Sequence, residues 1–177
     1  MKNINEIRKS FPILKNKIQL SSCSQSAMHI DVKRAIDEYV ENWAYQGMNW
    51  GKWMEECEQA RSNFAKMINA DPNEVAIVSS VSHAISSIAT SLNPTSGKNK
   101  VRITDFDFPT VGHVWLSHSD KFEVEFLEQS QVTGDSINTL DNKTLLVSTS
   151  HVNFYNGHKQ DLRKIAEKVI RIMPFCS

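Results

Sequence analysis

The chain has 177 residues, 40% of them hydrophobic and 23% charged, with 20 Lys and Arg balancing 20 Asp and Glu. That length suits one domain with a real core, and the even charge balance excludes a global field drawing in nucleic acid or a membrane surface. No apolar run is long enough to span a bilayer, the first residues lack the apolar stretch of a secretory signal, and Cys23, Cys57 and Cys176 form no C-x-x-C pair. Neither a disulfide framework nor a zinc knuckle is indicated, and a cytoplasmic address is expected.

In chain order, Val32, Ala35, Ile36, Tyr39, Val40 and Trp43 recur at helical spacing after Asp31, which is read as the cap. Gly47 and Gly51 bracket an expected break. A second helix then carries Trp53, Cys57, Ala60, Phe64, Met67 and Ile68 on one broad face and ends at the turn-forming cluster 69–73, where Pro72 cannot extend it. A strand is predicted at 74–78, a polar loop at 79–82 and a helix onward to about Leu92. Further strands are predicted at 101–104 and 122–126, with a helix between them from about Thr110 to His118. The polar stretch 129–142 holds at most one short strand, 145–147 reads as a buried strand, and Leu162, Ile165, Ala166, Val169 and Ile170 mark an amphipathic last helix.

Strands alternating with helices predict an α/β fold, a three-layer α/β/α arrangement with a mainly parallel sheet. Residues 1–45 show helix but no strand and are expected to pack outside the sheet, leaving 46–177 as the α/β domain. Polar groups placed just after parallel strands gather at one edge of such a sheet, where α/β folds bind ligands.

Two segments meet that description, Ser79-Ser80-Val81-Ser82-His83-Ala84 and Ser150-His151-Val152-Asn153-Phe154-Tyr155-Asn156-Gly157. The first sets hydroxyl residues before a helix, so free backbone N–H groups and the helix dipole favour phosphate without a basic residue. The same residues also serve plain N-capping by Ser80 or Ser82.

Four segments in order resemble the class V aminotransferase family, which includes cysteine desulfurases, kynureninases and isopenicillin-N-epimerase-like enzymes. Leu20-Ser21-Ser22-Cys23-Ser24 is similar to the early segment on the substrate side, and Ile77–Ser86 to the phosphate-cradling loop. Asp105-Phe106-Asp107-Phe108-Pro109-Thr110 resembles the stretch whose ring stacks on the cofactor's pyridine, and Ser150-His151-Val152-Asn153 with Gly157 the segment reaching its phenolic oxygen. The resemblance runs from about Phe11 to Val169. It implies an incomplete large domain of a fold type I pyridoxal-phosphate-dependent transferase or lyase acting on an amino acid.

Carried over by position, the resemblance implies cofactor contacts from Val81, Ser82 and His83 at the phosphate, from Phe108 on the ring and from Asn153 at the phenolic oxygen. The other reading of Phe108 is a core residue at a strand end, and that of Asn153 a turn residue ahead of Gly157. His83 departs from the family's usual glutamate.

The family's pyridine-binding aspartate and the lysine that forms the Schiff base have no counterpart before Ser177. The expectation is an N-terminal portion, not catalytically competent alone, with no catalytic residue assigned. A complementing chain or a homo-oligomer would supply the remainder. The other reading is a non-catalytic remnant or interaction module that self-associates. No metal site is expected, since His113 with His118 and His151 with His158 miss the spacing that sets two ligands on one helix face.

Overall fold

A computed structural model describes residues 3–22, 24–94, 97–127 and 140–172. It divides into two compact units, Met1–Ile77 and Val78–Ser177. The predicted short strand within 129–142 and the C-terminal 173–177 fall largely or wholly outside the described residues.

The first unit holds α1 (Ile4–Lys9), α2 (Ile30–Gln46) and α3 (Trp50–Ile68), with single 3₁₀ turns at Pro12–Lys15 and Pro72–Glu74. Asp31 is not the cap of α2. His29 takes that place, its Nδ1 accepting the Asp31 N–H at 3.1 Å, and Asp31 sits in the first turn where a carboxylate complements the helix dipole. The predicted break is half right. Gly47 ends α2 with a φ of 76°, which only glycine adopts without strain, but Gly51 lies inside α3 because the Asn49 side chain caps that helix by accepting the Lys52 N–H. At the far end Asn69 closes α3 in the left-handed conformation, φ 57°.

The predicted strand at 74–78 is absent. Glu74 closes the 3₁₀ turn and 75–78 form no ladder with any described residue. An apolar, β-branched run marks a segment suited to a sheet, but a strand also needs a neighbour to pair with.

The second unit holds α4 (Val81–Ser91), β1 (Lys100–Thr104), α5 (Pro109–Leu116), β2 (Glu123–Leu127), β3 (Thr144–Ser148) and α6 (Leu162–Ile172). The strands form one parallel sheet in the order β2-β1-β3, with Val101 opposite Val124 on one side and Leu146 on the other. A parallel sheet with helical connections is the predicted α/β architecture.

Alternation along β1 divides its side chains between two faces. Val101 and Ile103 pack with Ala89 of α4, with Val111 and Trp115 of α5, and with Phe122 in the apolar core. Trp115 and Phe122 meet edge to face at 5.7 Å. Gly112 of α5 faces the sheet, where a Cβ would lie 3.3 Å from the Phe126 ring.

Lys100 and Arg102 alternate with the core residues and carry charge. Arg102 is buried and bonds Glu125 at 2.5 Å and Asp141 at 3.3 Å, while Lys100 Nζ lies 3.4 Å from both carboxylates. Burial works to lower the Lys100 pKa, but Glu125 and Asp141 together outweigh it and hold the ammonium above its usual range. Burial likewise works to raise that of Asp141. The Lys143 N–H, Lys100 and Arg102 together hold its carboxyl below the usual carboxylate range. No helix among the described residues is long and apolar enough to cross a membrane.

Candidate functional site

Because β1 and β3 are parallel neighbours, the segments that follow them open at the same sheet edge. The first runs through Asp107 into α5 and the second occupies 149–161 before α6. Asp107, only 7% exposed, joins them. Its Oδ2 accepts the Ser150 N–H at 2.8 Å, and its Oδ1 accepts both the Ser150 hydroxyl at 2.5 Å and the Phe108 N–H at 3.1 Å. Two edge-on ring pairs cross the same seam, Phe106 with Tyr155 at 5.7 Å and Phe108 with Phe154 at 5.1 Å. Phe108 remains 54% exposed, so it is not the core residue its position also allowed.

Asn153 lies in the second segment and is 2% exposed. Its backbone is pinned at both ends, the N–H donating to His158 O and the carbonyl accepting from Gly157 N–H, each at 2.9 Å. Gly157 supplies the left-handed φ of 70° that this turn requires. Gln160, 3% exposed, directs Nε2 at the Asn153 Oδ1 (3.0 Å), the Ser150 carbonyl (2.9 Å) and the Thr149 hydroxyl (2.5 Å). Asn153 Nδ2 and Gln160 Oε1 are left buried with no partner among the described residues. An unpaired buried donor is uncommon in folded proteins, and it marks a place where an acceptor belongs.

The α4 N-terminus contributes the remaining predicted residues. Ser80 caps it, its hydroxyl accepting the His83 N–H at 3.1 Å and its carbonyl the Ala84 N–H at 3.1 Å. The N–H groups of Val81 and Ser82 in that first turn have no intrahelical acceptor. The His83 ring turns back to the Ser79 hydroxyl, Nδ1 to Oγ 3.1 Å. The other end of α4 lies at the opposite sheet edge, since Lys121, just before β2, reaches the Ala89 and Thr90 carbonyls at 3.3 Å. Eleven residues of helix span about 16 Å at 1.5 Å each, which carries the first turn toward the carboxyl edge.

Of the predicted residues, the structure brings Phe108 and Asn153 into one hydrogen-bonded and ring-packed cluster. Val81, Ser82 and His83 stand together on the first turn of α4, with no direct contact to that cluster recorded among the described residues. Sequence reasoning missed Asp107, Gln160 and Phe154. Asp107 was visible only as a lone carboxylate between two phenylalanines, and Gln160 only as one polar residue among several. No cluster of three metal-ligating side chains occurs among the described residues.

A family model, aminotransferase class-V, matches residues 20–172. An uncharacterised aminotransferase of Bacillus subtilis, YcbU, is 42% identical over 171 residues, 92% of this chain and 44% of its own length. A probable cysteine desulfurase of Methanothermobacter thermautotrophicus is 24% identical, over 90% of this chain and 42% of its own length. The chain therefore spans less than half the length of these relatives. Among solved structures, a C-DES mutant with glycine covalently linked to its pyridoxal-phosphate cofactor superposes with a TM-score of 0.78 at 21% identity, over 93% of this chain and 46% of that one. The apo cysteine desulfurase of Thermococcus onnurineus gives 0.77 at 17% identity, over 97% of this chain and 46% of that one. The likeness in fold is much closer than the likeness in sequence.

Proposed function

Since the chain belongs to the aminotransferase class-V family, we propose that it forms the phosphate- and ring-holding part of a pyridoxal-phosphate-dependent enzyme acting on an amino acid. Pyridoxal phosphate is the cofactor of this family. Three features of the site fit it. Asn153 Nδ2 is a buried donor without an acceptor, suited to an anionic phenolic oxygen. The N–H groups of Val81 and Ser82, with the Ser82 hydroxyl, suit a phosphate at the positive end of α4. The half-exposed Phe108 offers a ring for stacking.

The unpaired Asn153 Nδ2 is the observation that carries this reading. When bound, the cofactor supplies an electron sink that stabilises negative charge at the amino acid's reacting carbon. The chain's own residues hold the phosphate, stack Phe108 on one face of the ring and bond the phenolic oxygen. No lysine or aspartate here falls at the family positions for the Schiff base or the pyridine nitrogen, so the 177 residues alone are expected to bind cofactor without turning an amino acid over.

The test is a titration of the chain with pyridoxamine phosphate, which has no aldehyde to react with surface lysines, followed by tryptophan emission. Saturable binding is expected, weakened about tenfold in Ser82→Ala and in Phe108→Ala by the loss of a charge-assisted hydrogen bond or a ring contact. No emission change at millimolar ligand overturns the reading.

A second reading, a protein-interaction module, is favoured by one observation. Val32, Ile36, Tyr39, Val40 and Trp43 of α2 are all about half exposed or more. A chain presenting that stripe is suited to self-association or to a complementing chain.

A further inference from the structure

We propose that the cleft between α2 and α3 binds a small molecule carrying an alkylated ammonium, held by the rings of Tyr39 and Trp53 and the carboxylates of Glu38 and Glu56. The site lies within the first unit and shares no residue with the cofactor site.

Helical spacing brings the lining together. Glu38, Tyr39 and Asn42 share one face of α2, and Trp53, Glu56 and Cys57 share one face of α3. The cleft has a volume of about 360 Å³, within the ~300–1,000 Å³ of small-molecule sites. Each helix thus contributes one aromatic ring and one carboxylate. The two rings lie 5.5 Å apart, centre to centre, at 45°.

Charge selects the class of ligand. Lys33, Arg34 and Arg61 are held by Asp37, Asp31 and Glu58. Glu38 and Glu56 form no ion pair among the described residues. Asn42 Nδ2 donates to the Glu38 carbonyl at 2.7 Å, which leaves Oδ1 as the free end of that amide. Lys52 is the one base of the lining, a turn before Glu56 on the same helix. An anion would gain Lys52 and face two carboxylates, an amide oxygen and the negative faces of two rings. A cation gains all of these against Lys52 alone.

The walls decide which cation. Carbon makes up most of the lining, and a compact, strongly hydrated primary ammonium makes no use of it. A metal ion needs more oxygen ligands than two carboxylates and one amide supply. An ammonium bearing methyl groups spreads its charge over carbon and packs against ring faces. The lining covers no more than about two turns of either helix, roughly 11 Å, which suits a free molecule rather than a peptide strand.

Cys57, an exposed free thiol on the lining, reports occupancy. In the 177-residue chain carrying Cys23→Ser and Cys176→Ser, the rate of Cys57 alkylation by iodoacetamide is followed at constant ionic strength. The added ligand is choline, or its uncharged isostere in which carbon replaces the nitrogen. Choline is expected to slow alkylation saturably, with a midpoint about tenfold below that of the isostere, the range of a partly desolvated cation–π contact. In Glu38→Gln with Glu56→Gln the two midpoints should converge. In Trp53→Leu protection by choline should weaken about tenfold. Each variant is read on material whose helical circular dichroism matches the unaltered chain. Glu38 and Glu56 are exposed, so their replacement leaves the fold intact and keeps the test decisive even where Trp53→Leu does not fold.

No slowing by choline across the millimolar range overturns the proposal, as does equal slowing by the two ligands. A preference for choline that survives loss of both carboxylates overturns it as well.

Discussion

Asp107 and Ser150, forty-three positions apart, are joined by two hydrogen bonds, the Ser150 N–H to one carboxylate oxygen at 2.8 Å and its hydroxyl to the other at 2.5 Å. The first residue follows β1 and the second follows β3, so this single carboxylate ties the two segments that flank the site. It also accepts the N–H of Phe108, the residue proposed to stack on the cofactor ring. Asp107 holds Phe108 directly and reaches Asn153 only through Ser150 and Gln160.

Replacing Asp107 separates that support from ordinary burial. Asp107→Ala leaves the Ser150 N–H and hydroxyl and the Phe108 N–H without their acceptor in a largely buried place, which costs about 2–4 kcal/mol. Asp107→Asn keeps one acceptor oxygen and turns a donor toward the other position, with a loss of about 1–2 kcal/mol. Urea unfolding should show that order. Pyridoxamine phosphate binding should weaken in both, although neither variant replaces a residue proposed to meet the ligand. Equal stability of the two variants and the unaltered chain would refute the clamp.

The charged side chains along β1 set a pH dependence of stability. The Asp141 carboxyl is held below its unfolded value of about 3.9, so its contribution is complete above that pH and is lost as the pH falls through the folded value. The Lys100 ammonium is held above its unfolded value of about 10.4, so its contribution is complete below that pH and is lost as the pH rises through the folded value. Stability should be flat with respect to these two groups between about pH 4 and pH 10. Asp141→Asn should cost about 1 kcal/mol on that plateau, a modest figure because the Asp141 side chain is 39% exposed and screened by solvent. The deficit should shrink as the pH drops below about 4. Denaturant unfolding at a series of pH values reads it directly, and a deficit that persists unchanged into acid would refute the assignment.

How much of this was legible in the sequence depended on whether the deciding contact was local. Ser80 is legible as a cap because hydroxyl, helix start and acceptor geometry all fall within four residues. β1 and β3 are legible because short apolar runs bounded by polar turns leave few other options. The run at 74–78 has the same appearance and no ladder, since pairing is decided by a partner and not by the run itself. Gly51 reads as a breaker until Asn49 is seen to cap the helix just before it. Phe108 and Asn153 came from resemblance in ordered segments. Asp107 and Gln160 were not found because their roles exist only once β1 and β3 lie side by side. A residue whose meaning is a contact across forty-three positions carries no local signal.

The apolar stripe on α2 gives the last prediction. Val32, Ile36, Tyr39, Val40 and Trp43 recur at the three- and four-residue intervals of one helix face, and Trp43 is 62% exposed. Tyr39 is partly engaged, lying 5.5 Å from Trp53 of α3, but Ile36 and Trp43 offer large surfaces to a partner. Burying the exposed half of such side chains against a second molecule gains about 1 kcal/mol apiece. The chain is therefore expected to self-associate with rising concentration in sedimentation velocity. Ile36→Ser with Trp43→Ser should shift it toward monomer by more than tenfold in dissociation constant. Their unfolding midpoint should change little, because side chains already facing water contribute little to the fold. Pyridoxamine phosphate should not alter the association if the stripe acts independently of the ligand site. A monomer at every concentration would refute the interaction reading and leave the cofactor reading to its own test.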